Sequence, residues 1–183
     1  MVHMDRKSGM LVHLALLTAL CAVATMVIPI PTVTGGYLNA GDIIIVMTAL
    51  LAGPFYAATA GSIGSAAADL LSGYTIFAPA SFIAKGLSGF LIGWIWRRYA
   101  KKSTPKALFA SLCGELTIAA CYFLYEAWVL GFGWGAAAEI PANLLQGAVG
   151  TVGGIALYHA LYRVPPIRSY SDQLIYGSKK PRP

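Results

Sequence analysis

The chain has 183 residues, of which 57% are hydrophobic and only 11% are charged. Because soluble domains carry about 25% charged residues, this composition excludes an ordinary soluble protein. The net charge of +6 could suggest a nucleic-acid partner, but the basic residues lie in loops and tails between long apolar segments, which indicates membrane topology and no nucleic acid.

The first apolar segment, about 9–28, predicts a helix that spans the lipid bilayer. The basic residues before it are typical of a signal peptide, but the apolar run is too long and no small-x-small cleavage site follows. We therefore expect a retained span, preceded by a cytoplasmic N-terminus at 1–8. Turn-forming residues fill the loop 29–41.

Five further apolar segments predict an all-α bundle of six transmembrane helices. Asp42 is expected to cap the second helix, and Gly53-Pro54 separates it from the third. At 1.5 Å per residue the second segment is short for a bilayer core of about 30 Å, so it either borrows loop residues or forms a bent pair with the third. The predicted spans are about 9–28, 42–52, 54–71, 78–96, 107–130 and 138–162.

The basic residues orient this bundle. The chain has 13 Lys and Arg residues, and all except Lys85 are predicted to lie on the same side of the membrane. The positive-inside rule makes that side cytoplasmic, with both termini inside and a polar, partly disordered tail at 163–183. The twelve are Arg6, Lys7, Arg97, Arg98, Lys101, Lys102, Lys106, Arg163, Arg168, Lys179, Lys180 and Arg182.

Small residues four apart allow helices to approach closely. Gly89 and Gly93, and likewise Gly150 and Gly154, predict packing within the bundle. The first span instead carries a strip of small residues that could equally pack inside the bundle or dock a partner membrane subunit. This alanine strip consists of Ala15, Ala19 and Ala22.

The sequence contains no motif of an enzyme active site and no P-loop, so we expect no catalysis and no bound cofactor. Any ATP must then be hydrolysed by another protein. The three cysteines, Cys21, Cys113 and Cys121, lie inside apolar segments without a CxxC pair. They are interpreted as core residues, with neither a disulfide nor a metal site.

Polar residues inside spans are costly and suggest a functional site. Counting along each span places several of them at one level in the outer half of the bundle, which predicts a pocket for a small polar ligand with an aromatic ring. A structural ion pair between Lys85 and Asp69 is an alternative, as is a proton relay that uses Glu115. The candidate pocket residues are Tyr37, Asn39, Asp69, Tyr74, Lys85, Tyr122, Glu126, Asn143 and Gln146.

An ordered string of motifs resembles the substrate-binding S component of an energy-coupling factor (ECF) vitamin transporter. The resemblance covers about 9–160, and its branch includes the riboflavin, hydroxymethylpyrimidine and vitamin B6 binders. The motifs are Ala15-Leu-Leu-Thr-Ala19, Gly36-Tyr-Leu-Asn-Ala-Gly-Asp42, Leu51-Ala-Gly-Pro-Phe55, Gly61-Ser-Ile-Gly-Ser-Ala-Ala-Ala-Asp-Leu-Leu-Ser-Gly-Tyr74 and Ala78-Pro-Ala-Ser-Phe-Ile-Ala-Lys-Gly86.

The resemblance implies a six-helix subunit in the plasma membrane of a prokaryote, with a membrane domain at 9–162. It implies that Ala15 and Ala19 contact a transmembrane T subunit, and that two ABC ATPases supply energy through that subunit. It also implies that the loop 29–41 is a lid over an outward-facing site.

The resemblance does not determine the ligand. The dense polarity of the predicted pocket favours vitamin B6 or hydroxymethylpyrimidine, with riboflavin as the alternative vitamin. A self-sufficient proton-coupled carrier is the alternative class, although the two halves of the chain show no clear repeat.

Overall fold

The computed structural model describes residues 6–99 and 102–176, with only the backbone of Arg6 and Lys7. The predicted positions of Lys101, Lys179, Lys180 and Arg182 lie outside the described residues. The elements in chain order are α1 Arg6–Val27, β1 Ile30–Pro31, β2 Tyr37–Leu38, α2 Gly41–Ala52, α3 Pro54–Leu71, α4 Ala78–Arg98, α5 Thr104–Leu124, a π-helix Tyr125–Val129, a 3₁₀-helix Gly133–Glu139, α6 Ile140–Tyr162 and α7 Pro165–Tyr176.

The six predicted segments are all helical, which confirms an all-α fold. Four helical stretches are long and apolar enough to cross a membrane, namely Ser8–Val27, Ala78–Arg98, Thr104–Val129 and Gly133–Tyr162. The apolar helix α2 is shorter, with 12 residues, or about 18 Å of helix.

The short helix α2 forms the centre of the bundle. It packs against α1, α3, α4 and α6, and every residue except Ile43 is buried. Its apolar sequence suits this position, because a helix that is hydrophobic on all sides is normally buried. Gly53 has a φ of 89° and Pro54 is the first residue of α3, so this pair ends α2 and begins the next helix.

Glycines allow the closest helix contacts, as the spacing of the two glycine pairs predicts. A methyl group added at Gly89 of α4 would lie 2.6 Å from the carbonyl oxygen of Ala57 in α3. At Gly154 of α6 it would lie 2.5 Å from Cβ of Val46 in α2. Both pairs therefore pack within the bundle.

A two-stranded antiparallel hairpin, residues 30–38, lies between α1 and α2. Ile30 pairs with Leu38 and Pro31 with Tyr37. The turn is closed by a hydrogen bond from the Thr32 amide to the Gly36 carbonyl (3.0 Å). We call this end of the bundle the hairpin end.

Helix α7, Pro165–Tyr176, lies within the predicted tail at 163–183, where no helix is predicted from the sequence. It packs against α2 and α6, and the Ser171 hydroxyl donates a 2.7 Å hydrogen bond to the Leu51 carbonyl. The helix is amphipathic but not hydrophobic, so a search for apolar runs does not detect it. Its signal is a helical period of four apolar side chains, Ile167, Tyr170, Leu174 and Ile175.

We expect Gly89→Ala to destabilise the bundle by about 1–3 kcal/mol, because the added methyl must push α3 and α4 apart. Thermal unfolding of the detergent-solubilised protein measures this. Gly135→Ala is the matched control, since nothing lies within 4 Å of a Cβ at Gly135. Equal melting temperatures for the two variants would contradict the close-packing role of Gly89.

Candidate ligand-binding site

A polar cavity lies at the hairpin end, bordered by the hairpin and by helices α3, α4, α5 and α6 with their connecting segments. Its free volume is about 20 Å³, room for about one water molecule. The lining contains seven of the nine predicted pocket residues. Its residues are Gly36, Tyr37, Asn39, Asp69, Phe77, Ser81, Tyr122, Glu126, Glu139, Asn143 and Gln146.

The other two predicted residues lie next to the cavity without lining it. The ring of Tyr74 packs on that of Tyr37, with centroids 4.2 Å apart. Lys85 is 1% exposed, and its ammonium donates to Asn39 Oδ1 at 3.0 Å. Tyr74 therefore supports a lining residue, and Lys85 lies behind another.

A buried ion pair joins Lys85 of α4 to Asp42 of α2. Lys85 Nζ lies 2.9 Å from Asp42 Oδ1, and both side chains are 1% exposed. The side-chain amide of Gln146, in α6, donates to Asp42 Oδ2 at 2.6 Å. Its Oε1 accepts a hydrogen bond from the backbone N–H of Asn39 at 2.8 Å. One network thus connects three helices and the hairpin.

This network corrects two expectations. The ion-pair partner of Lys85 is Asp42, so the alternative of an ion pair with Asp69 is wrong. Asp42 does not cap α2 either, because the helix begins at Gly41 and has no side-chain cap. The start of α2 is buried in the bundle, where an acid in the first turn is directed to the nearest cation and not to a free backbone amide.

Asp69 accepts hydrogen bonds at both carboxylate oxygens. The Tyr37 hydroxyl donates to Oδ1 at 2.5 Å, and the Ser81 hydroxyl donates to Oδ2. Ser81 is also 2.6 Å from the Tyr122 hydroxyl. Burial, and then the bond to Asp69, raise the pKa of Tyr37 above its usual value, so Tyr37 stays a neutral donor at physiological pH.

Two glutamates lie on the opposite wall. Glu126 is in the π-helix, and Glu139 is the last residue of the 3₁₀-helix. The Thr34 hydroxyl, from the turn of the hairpin, is 3.3 Å from Glu126 Oε1 and 2.9 Å from Glu139 Oε2. The hairpin is therefore tied to the segment that connects α5 and α6.

Four lining residues, Gly36, Phe77, Ser81 and Glu139, were not predicted from the sequence. Nor were the contacts of Thr34 and Asp42. Two of the four lining residues carried a usable signal. Ser81 is one turn before Lys85, and Glu139 is one turn before Asn143, so each shares a helix face with a residue that was predicted. Phe77 and Gly36 carried no comparable polar signal.

Glu115 lies away from the cavity, on α5. It is 5% exposed, and neither carboxylate oxygen has a hydrogen-bond partner. A Cβ at Gly150 would lie 3.1 Å from Glu115 Oε1 and 2.7 Å from Cβ of Asp42. The glycines of α6 thus make room for this acid beside the ion pair.

The alanine strip lies on α1, at the periphery of the bundle. Ala15 and Ala19 are exposed and Ala22 is partly buried. Around the two exposed alanines, large apolar side chains such as Leu16 and Val23 also point away from the bundle. This face of α1 therefore has no partner within the described chain.

We expect Lys85→Met to destabilise the protein by about 3–5 kcal/mol, because it leaves Asp42 buried without a cation. The double variant Asp42→Asn/Lys85→Met removes both charges and should recover part of this loss. Thermal unfolding of both variants in detergent measures the difference. A double variant less stable than Lys85→Met would contradict the view that the unpaired charge causes the loss.

The sequence of this chain is similar to those of known proteins. A relative from Pyrococcus woesei, described as an uncharacterized protein in the gap 3′ region, is 35% identical over 149 residues, which cover 79% of this chain and 97% of the relative. The family model of the ECF-type riboflavin transporter, S component, matches residues 7–163. Since this match spans most of the chain, the protein belongs to the ECF-type riboflavin transporter S-component family.

Proposed function

We propose that this protein captures a small vitamin outside a prokaryotic cell and delivers it inward as the S component of an ECF importer. The observation that carries the proposal is the polar cavity under the hairpin, at one end of a helical bundle. Membership of a transporter family supports it and argues against both an enzyme and a self-sufficient carrier.

We infer six spans, with α2 and α3 added to the four long helical stretches. The hairpin end then faces outward and both termini face the cytoplasm. The described basic residues support this orientation, because all except Lys85 lie at or beside helix ends away from the hairpin or in α7. Arg6 and Lys7 begin α1, and the other six lie around the ends of α4, α5 and α6 or in α7. They are Arg97, Arg98, Lys102, Lys106, Arg163 and Arg168.

The proposed ligand is a vitamin B6 form or hydroxymethylpyrimidine. Hydroxyl, amide and carboxylate groups line the cavity on several sides, which suits a small heteroaromatic ring with several polar substituents. Ligand pockets usually measure about 300–1,000 Å³, far above the 20 Å³ present. Binding therefore requires the hairpin to move outward, as expected of a lid at 29–41.

Riboflavin is the second candidate, favoured by the description of the matching family. It needs a longer, flat slot than the present cavity provides. Mass spectrometry of small molecules that copurify with the protein from its native host distinguishes the vitamins. Recovery of no vitamin, together with no vitamin binding by the purified protein, would overturn the proposal.

The proposed partners are a transmembrane T subunit and two ABC ATPases, which hydrolyse ATP while this chain binds no cofactor. The exposed alanine strip of α1 is the proposed docking face, since small side chains allow another helix to approach closely. The strip needs no rearrangement of the bundle to become accessible.

We expect Asn143→Ala to weaken vitamin binding by about three- to tenfold, because the variant loses one hydrogen bond to the ligand. Asn143 lines the cavity and is outside the ion-pair network, so the bundle should remain stable. Calorimetric titration of the purified protein measures the affinity. Leu144→Ala is the control, since this neighbour is 47% exposed. Equal affinities of the two variants would mean that the ligand does not contact Asn143.

We expect Ala15→Phe/Ala19→Phe to reduce vitamin uptake at least tenfold while binding to the isolated protein is unchanged. The bulky rings would hold the T subunit away from α1. Uptake into cells that express the complete transporter and binding in detergent measure the two effects. The control is Val152→Phe on the exposed surface of α6, and parallel loss of uptake and binding would count against a docking face.

A further inference from the structure

The Glu126–Glu139 pair is under-supplied with hydrogen-bond donors. Both carboxylates approach the same Thr34 hydroxyl, at 3.3 and 2.9 Å. A hydroxyl carries one proton, so it donates to only one of two carboxylates at a time. At any moment, therefore, one of the two carboxylate oxygens next to Thr34 accepts no hydrogen bond from it.

A second observation concerns the other oxygen of Glu126. This side chain is only 1% exposed, and its Oε2 is buried with no hydrogen-bond partner. Both glutamates line the cavity. A buried carboxylate oxygen without a partner is costly, so this oxygen marks a place where the ligand can supply a donor.

No cation of the described protein compensates these acids. Lys85, the cation buried inside the bundle, is already paired with Asp42. The third acid of the lining, Asp69, already accepts from Tyr37 and Ser81. The described residues contain no group of three or more His, Cys, Asp or Glu that could hold a metal ion.

We propose that Glu126 and Glu139 form a recognition site for a primary ammonium group, so that the preferred ligand carries an aminomethyl substituent on one side of its ring. An ammonium has three donors and no acceptor. It supplies donors to both carboxylates, including Glu126 Oε2, and offsets their mutual repulsion. This inference rests on the proposed function and adds the charge of the ligand to it.

Thr34 connects this recognition to the lid. The hydroxyl that now approaches both glutamates belongs to the turn of the hairpin. An incoming ammonium therefore replaces a contact of the lid with a stronger one in which both partners are charged. The neutral flavin ring of riboflavin has no cation for this position. The inference therefore predicts discrimination between amino and hydroxyl ligands of the same shape.

The test is a pair of B6 forms that differ at one group. Pyridoxamine has an aminomethyl group, which is an ammonium at neutral pH, where pyridoxine has a hydroxymethyl group. We expect calorimetric titration of the purified full chain to give at least tenfold tighter binding of pyridoxamine. The pair 4-amino-5-aminomethyl-2-methylpyrimidine and 4-amino-5-hydroxymethyl-2-methylpyrimidine makes the same comparison on the other proposed ring, because the aminomethyl group is an ammonium at neutral pH and the 4-amino group on the ring is not.

The preference should fall to less than about threefold in Glu126→Gln/Glu139→Gln, which keeps the shape but removes both charges. Asp172→Asn is the control, because it removes an acid from α7, away from the hairpin end, and should retain the preference. The wild-type comparison does not depend on whether the double variant folds.

The outcomes separate this inference from the proposed function. Equal or tighter wild-type binding of the neutral member in both pairs would overturn the ammonium site and leave the vitamin transporter in place. A preference that survives in a folded double variant would also overturn it. No binding of any of the four compounds would overturn the proposed ligand class, and this inference with it.

Discussion

The ion pair between Asp42 and Lys85 is the contact on which the candidate site depends. Two charges inside a bundle are tolerated only when they meet each other and their remaining hydrogen-bonding groups are satisfied. Here Asn39 binds the ammonium and Gln146 binds the carboxylate. Because Asn39 and Gln146 also line the cavity, the pair sets the position of two groups that a ligand would meet.

The hairpin is held over the cavity by polar contacts to separate helices. Thr34 approaches the acids at the junction of α5 and α6, Tyr37 donates to Asp69 of α3, and Asn39 accepts from Lys85 of α4. Water or a ligand can replace such contacts one by one, whereas a buried apolar contact has no substitute in water. The closed cavity is thus compatible with a lid that opens while the helices beneath it stay packed.

Hydropathy and helical phase predicted much of this structure. The six helical segments and seven lining residues follow from the sequence, because apolar length defines a span and a polar side chain on a helix has a fixed direction. Phase cannot identify the partner across an interface, so Asp69 was considered as the alternative ion-pair partner of Lys85 and Asp42 was not. Glu139 was missed although it lies one turn before Asn143, because it is at the very start of the predicted sixth span, and α7 was missed because it is amphipathic without being hydrophobic overall.

The central position of α2 has a consequence for biogenesis. Asp42 is synthesised 43 residues before Lys85, and still longer before Gln146 of α6. Until α4 emerges from the ribosome, α2 is a short helix with an uncompensated acid and few of its final neighbours. The acid and the surfaces of α2 that face α4 and α6 therefore gain their partners only after those later helices have been synthesised. The same residues that shape the floor of the cavity thus impose an order on the assembly of the protein in the membrane.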